Sequence, residues 1–156
     1  MLKLDIMKAY DSLNWKFLFG TLEVLEFPDQ FINWIKVCVT TALSSVNPNG
    51  SLAGYFKSGR GLRQGDPVSP YLVLLCMEMF SATFAWNIET LGFDFHPRCQ
   101  ELQLSHFVFA DDLFFISAAT AESFDTMKKT VDEFGAMSGL LHNLQKCRVY
   151  TAGLNG

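Results

Sequence analysis

The stretch that most constrains this chain is Ser105 to Ile116, SHFVFADDLFFI, where two adjacent carboxylates, Asp111 and Asp112, interrupt an apolar run. An isolated buried carboxylate is costly enough to protonate, so two inside a hydrophobic frame need compensation, and a metal cation is the obvious candidate. The aromatic residues on either side read as two short strands, with Ala110-Asp111-Asp112 at the hairpin turn presenting both acids to one cleft. Asp-Asp is also an ordinary turn dipeptide that bonds its own backbone. A further acid in a similar frame weighs against that reading: in Leu2-Lys3-Leu4-Asp5-Ile6 the apolar residues share one strand face and Asp5 takes the other. Three carboxylates meeting on neighbouring strands, with no Cys or His beside them, suit Mg2+ or, in its place, Mn2+, and two such ions suit phosphoryl transfer.

The chain has 156 residues, 49% of them hydrophobic, which excludes general disorder and predicts one compact domain over 1–156. Its 15 phenylalanines imply an aromatic core and surface that expects cover from another domain. A net charge of -4 lacks the basic footprint of a nucleic-acid binder and argues against an autonomous polymerase. Cys38, Cys76, Cys99 and Cys147 form no C-x-x-C pair and read as reduced core thiols of an intracellular protein. Val68 to Trp86 is the most membrane-like stretch, but Pro70 and Glu78 favour a buried helix, so no membrane partner is expected. The N-terminus enters a strand at once without a targeting segment, as in a chain cut into an existing domain.

Along the chain, a polar turn from Met7 leads to a helix capped by Asn14 with Trp15, Leu18, Leu22 and Leu25 on one stripe. Pro28 opens a second helix, whose Phe31, Ile32, Ile35 and Val39 are core. Ser44 to Lys57 reads as a β-ribbon turning at Asn49-Gly50. A loop with three glycines and two arginines, Ser58 to Pro70, then opens an apolar helix over about Tyr71 to Glu89, expected between a sheet and another layer. His96, His106 and His142 lack partners at metal-ligand spacing and read as packed or exposed. Thr120 caps a helix through Phe124, Met127, Val131 and Phe134, ended by Gly135 or Gly139, and a last strand lies within Leu140 to Thr151. The order strand, helices, ribbon, helix, hairpin, helix, strand predicts an α+β fold with an antiparallel sheet.

Four segments in order, Leu4–Asp11 (LDIMKAYD), Arg60–Pro70 (RGLRQGDPVSP), Phe109–Asp112 (FADD) and Gly139–Lys146 (GLLHNLQK), resemble the palm motifs of reverse transcriptases from non-LTR (LINE-type) retrotransposons. The resemblance covers nearly the whole chain, and the text at Phe31 to Ile35 and Val46 to Gly50 looks like plant-type elements. It implies a polymerase palm-like antiparallel sheet packed against helices, a partial reverse transcriptase domain without fingers or thumb. By that resemblance Asp5 and Asp111 bridge two Mg2+ ions and Asp112 assists one of them, activating a primer 3'-hydroxyl and neutralising the leaving pyrophosphate. Tyr10 matches the family's aromatic gate against a ribose 2'-hydroxyl, with core packing as its alternative role. Gln64 and Gly65 match the loop along the incoming nucleotide and template, with Arg63 beside them. Lys146 matches the lysine that donates a proton to, or stabilises, the departing pyrophosphate. Met7 departs mildly from a usually aliphatic or small position.

The partners so implied are an RNA template, a DNA primer and deoxynucleoside triphosphates, with a fingers or thumb domain supplied in trans, and nuclear residence follows only from how such elements integrate. The expected function is RNA-directed DNA polymerisation, weak or absent in the isolated chain because positioning accounts for much of the rate. The competing reading is a non-catalytic remnant or scaffold that keeps the palm fold. A stand-alone RNA-binding module fits less well with the net acidity.

Overall fold

The computed structural model describes residues 1–51, 53–109, 112–143 and 145–151. Alternating polarity makes Leu2–Asp5 a strand, β1, with Leu4 buried and Asp5 on the opposite face. The expected polar turn contains a single helical turn, α1 (Ala9–Ser12), entered through Lys8 at φ 48°. Asn14 then caps α2 (Trp15–Val24), accepting a 2.9 Å bond from the Lys16 amide. Pro28 precedes α3 (Asp29–Thr40), and the ribbon pairs β2 (Leu43–Val46) with β3 (Ala53–Lys57). Its turn holds both Asn49 and Gly50 at positive φ, 55° and 83°.

The long apolar helix, α4 (Ser69–Leu91), extends beyond the predicted span at both ends. Next come β4 (His106–Phe109), β5 (Asp112–Phe115), α5 (Ala121–Ser138) and β6 (Arg148–Val149). Thr120 caps α5, and Gly139, in the left-handed region at φ 76°, ends it. The four-stranded sheet runs β4-β5-β1-β6 with every neighbour antiparallel, the expected α+β architecture.

One face of this sheet makes the core. Leu4, Leu113 and Phe115 point at α4 and α5, where Phe80 and Phe84 meet the Phe115 ring at 5.9 and 5.0 Å and Phe134 meets Phe80 at 5.3 Å. Edge-to-face contacts of this kind add to the area each ring buries. Asn87 ties the two helices together, its amide donating to Thr130 Oγ1 at 3.0 Å and Glu133 Oε2 at 2.9 Å. The expectation of a layer on either side of α4 fails among the described residues: Tyr71, Leu74 and Trp86 lie exposed on its outer side. Its length and composition would let α4 cross a membrane, but its inner side packs on the sheet, α2 and α5. Of the four free thiols only Cys76 is fully buried, and burial pushes it up to about 12; Cys38 is exposed, against the expectation of a core thiol.

His106 is packed, as expected, its ring lying 5.7 Å from Phe80 and 5.2 Å from Phe84, with Nδ1 beside Ser105 Oγ and Nε2 beside Ser81 Oγ. Burial lowers its pKa below the ordinary 6.5, partly opposed by Glu78. The unfolded chain therefore binds this proton first, so the stabilisation is complete above the unfolded value and is lost as pH falls through the folded one. Urea unfolding between about pH 7 and pH 5 should show stability falling with acidity, and His106→Gln should flatten that slope.

Candidate active site

Residues of β1 pair with β5 in the register Leu2↔Phe115, Lys3↔Phe114, Leu4↔Leu113 and Asp5↔Asp112. Because side chains alternate, burial of Leu4, Leu113 and Phe115 puts Lys3, Asp5, Asp112 and Phe114 together on the face away from the helices. Asp5 and Asp112 are thus directly opposed. Beside them, Phe107 of β4 stacks on Phe114 at 4.6 Å and Phe109 stands opposite Asp112, its side chain largely in solvent. Asp111, the third expected acid, lies outside the described residues, as does Ala110.

For the two acids that are described, the cover in this frame is partial rather than complete. The side chains of Asp5 and Asp112 are 19% and 28% exposed, on a sheet face open to solvent. Like charges opposed across a strand pair repel. Two lysines offset that repulsion: Lys3 Nζ lies 2.6 Å from Asp112 Oδ2 and Lys146 Nζ 3.3 Å from Asp5 Oδ1. Lys146, singled out in the sequence, is therefore brought to the acids; Lys3 was missed, although its position two residues before Asp5 fixes it to the same face. Among the described residues no three His, Cys, Asp or Glu side chains converge as a metal group. The donors that are described, two opposed carboxylates, are the hard oxygen ligands that suit Mg2+ or Mn2+.

Backbone hooks join the other motifs to this pair. The Asn143 amide donates to the Asp5 carbonyl at 2.8 Å, the Met7 amide to Leu141 O at 2.7 Å, and Ile6 bridges His142. Lys146 follows a tight turn in which Asn143 Oδ1 accepts from the Gln145 amide at 3.1 Å. The glycine-rich loop docks on α1: Gly61 N donates to Leu13 O at 2.8 Å, Leu62 N to Tyr10 O at 2.5 Å, and Trp15 Nε1 to Gly61 O at 2.6 Å. At Gly61, with φ 83°, a Cβ would sit 2.7 Å from the carbonyl oxygens of both Tyr10 and Asp11, so only glycine fits.

The Tyr10 side chain is half-buried against the core. Arg63, Gln64 and Gly65 are exposed; the Arg63 carbonyl accepts from Ser69 Oγ at 2.8 Å and Gln64 Nε2 donates to Asp11 Oδ1 at 3.4 Å. Among the described residues none of these three bonds to Asp5, Asp112 or Lys146. A cleft of about 240 Å³ between α3 and the start of α4 is lined by Ile35, Val39, Leu62, Arg63, Asp66 and Leu72, and by neither Asp5 nor Asp112.

Residues 1–154 match the family model described as reverse transcriptase (RNA-dependent DNA polymerase), and the chain belongs to that family. It is related to retrotransposon Pol proteins: over 153 residues it is 29% identical to the retrovirus-related Pol polyprotein from the type-2 retrotransposable element R2DM of Drosophila melanogaster, covering 98% of this chain but only 14% of that one. An uncharacterized mitochondrial protein of Arabidopsis thaliana is 58% identical over 33 residues, 21% of this chain and 27% of that protein. The fold resembles apo telomerase from Candida tropicalis truncated from the C-terminal domain, with a TM-score of 0.73 at 19% identity over 99% of this chain and 31% of that one.

Gly61→Ala should cost roughly 2 kcal/mol or more in urea unfolding, through the blocked contact and the positive φ. Gly50→Ala, at a similar φ but with open space around it, should cost about 1 kcal/mol.

Proposed function

We propose that this chain is the palm region of a plant-type, LINE-like reverse transcriptase, built for template-directed nucleotidyl transfer. The observation that carries this reading is the direct opposition of Asp5 and Asp112, with Lys146 beside Asp5, on a sheet face open to substrate. Asp5, Asp112 and, by the motif it belongs to, Asp111 would hold Mg2+ or Mn2+. When bound, such ions activate a primer 3'-hydroxyl and neutralise the charge of departing pyrophosphate.

The chain's own residues do the remaining work. Lys146 Nζ, on a side chain 65% exposed, is free to turn from Asp5 toward a leaving phosphate and give it a proton. Tyr10 is held in place by the loop bonded to its carbonyl, so its ring can act as a fixed wall against a ribose 2'-hydroxyl. Arg63, Gln64 and Gly65, on the exposed arm of the same loop, would lie along the nucleotide and template. The chain's partners would be an RNA template, a DNA primer and deoxynucleoside triphosphates, with nuclear residence where the template is copied into a chromosome.

With a net charge of -4 the 156 residues offer little grip on phosphates, and positioning supplies much of the rate, so activity of the chain alone should be weak. The same charge favours a second reading, a scaffold that keeps the fold without polymerising. Titration calorimetry should show Mg2+ binding that falls about tenfold or more in Asp5→Asn and Asp111→Asn, and primer extension on RNA should be lost in both. Equal metal affinity in wild type and both variants would remove the acid site; binding without extension would support the scaffold.

A further inference from the structure

On the open sheet face, Lys3 reaches across from β1 to β5. Its Nζ lies 2.6 Å from Asp112 Oδ2, and both side chains are about 70% covered, exposed by 29% and 28%. The same ammonium rests 5.4 Å from the centre of the Phe114 ring, which is itself stacked on Phe107. On its other flank, Lys3 stands opposite Arg148 of β6. A like charge there disfavours the β6 side, and the aromatic ring with the carboxylate favours the β5 side. Arg148 on one flank and the Phe114 ring on the other thus aim one cation at one acid. The second pair, Lys146 with Asp5, is longer at 3.3 Å and its lysine is far more exposed.

We propose that Lys3 is a positioning residue that clamps Asp112 and competes with a divalent cation for it, so that Asp112 is the weaker ligand and Asp5 the stronger. This rests on the acid site proposed above. A short, partly desolvated ion pair is worth more than an exposed one, and a dication must displace or share it. Lys3 also offsets the repulsion between Asp5 and Asp112, so the two acids can face each other before any cation arrives. Release of Asp112 on metal entry would leave the ammonium on the aromatic pair, ready to meet an anionic group.

The test is Mg2+ and Mn2+ titration calorimetry on the 156-residue chain, with circular dichroism to confirm folding of each variant. Lys3→Met should bind Mg2+ about three- to tenfold tighter than wild type, because the competing charge is gone. Lys3→Gln should show the same gain, which guards against a packing defect in one variant. Lys3→Arg, which keeps the charge, should stay within about twofold of wild type. In an Asp112→Asn background the gain from Lys3→Met should vanish, as a double-mutant cycle requires of a direct pair. Unchanged or weaker binding in Lys3→Met and Lys3→Gln, or a gain that persists with Asp112→Asn, would overturn the clamp while leaving the acid site standing. Failure of the wild type to bind either metal would overturn the acid site, and the clamp with it.

Discussion

Everything at the candidate site depends on the pairing register of β1 with β5. A slip of one residue would turn Asp5 and Lys3 into the helix layer and Leu4 out to solvent. The register is fixed by what lies beneath: Leu4, Leu113 and Phe115 fill the space over Phe80 and Phe84, and burying each such side chain is worth about 1.5–3 kcal/mol. An acid driven into that core would add a desolvation cost on top of the lost packing. The opposed carboxylates are therefore the outward consequence of an inward hydrophobic choice. Their repulsion is tolerated because two lysines sit on the same face.

The segment between β1 and α2 brings distant parts of the chain to that pair. Tyr10 and Leu13 give carbonyls to the glycine-rich loop, and Asn14 donates its amide to Ser138 O at 2.8 Å. Gly139 follows so closely that a Cβ there would lie 2.7 Å from Ser12 O. Two glycines thus let two loops approach the same short turn from either side. Segments separated by about half the chain share one backbone junction, and Trp15 strengthens it with its indole bond to Gly61 O. The loop's exposed arm then projects Arg63 and Gln64 from a rigid base.

Much of this was legible because it is local. Strand parity placed Asp5 opposite the core side, Asn14 and Thr120 cap the helices the pattern assigned them, and Gly139 ends α5. Asn49-Gly50 turns the ribbon, and the apolar pattern marks α4 but stops short of both its ends. The motif resemblance supplied the family, which residues 1–154 match. What escaped depends on which faces end up covered. The aromatic run at 107–109 reads as a buried frame, but Phe107 and Phe109 fall on the open face, so the neutralising charge comes at least in part from lysine. The outer side of α4 is equally invisible to composition, since Tyr71, Leu74 and Trp86 look like core until the layers are counted. The single turn of α1 is too short to leave a periodic signal.

We propose that a divalent cation binds on the open face at the Asp5 end of the β1–β5 pair. Paramagnetic broadening of backbone amide signals by trace Mn2+ tests it most directly, because it reports position rather than affinity or turnover. Broadening centred on Asp5, Asp112 and Lys146, with Gly92 and Thr126 on the helix side left sharp, is the predicted result. Broadening that spares Asp5 and Asp112, or that falls equally on Gly92 and Thr126, would contradict it.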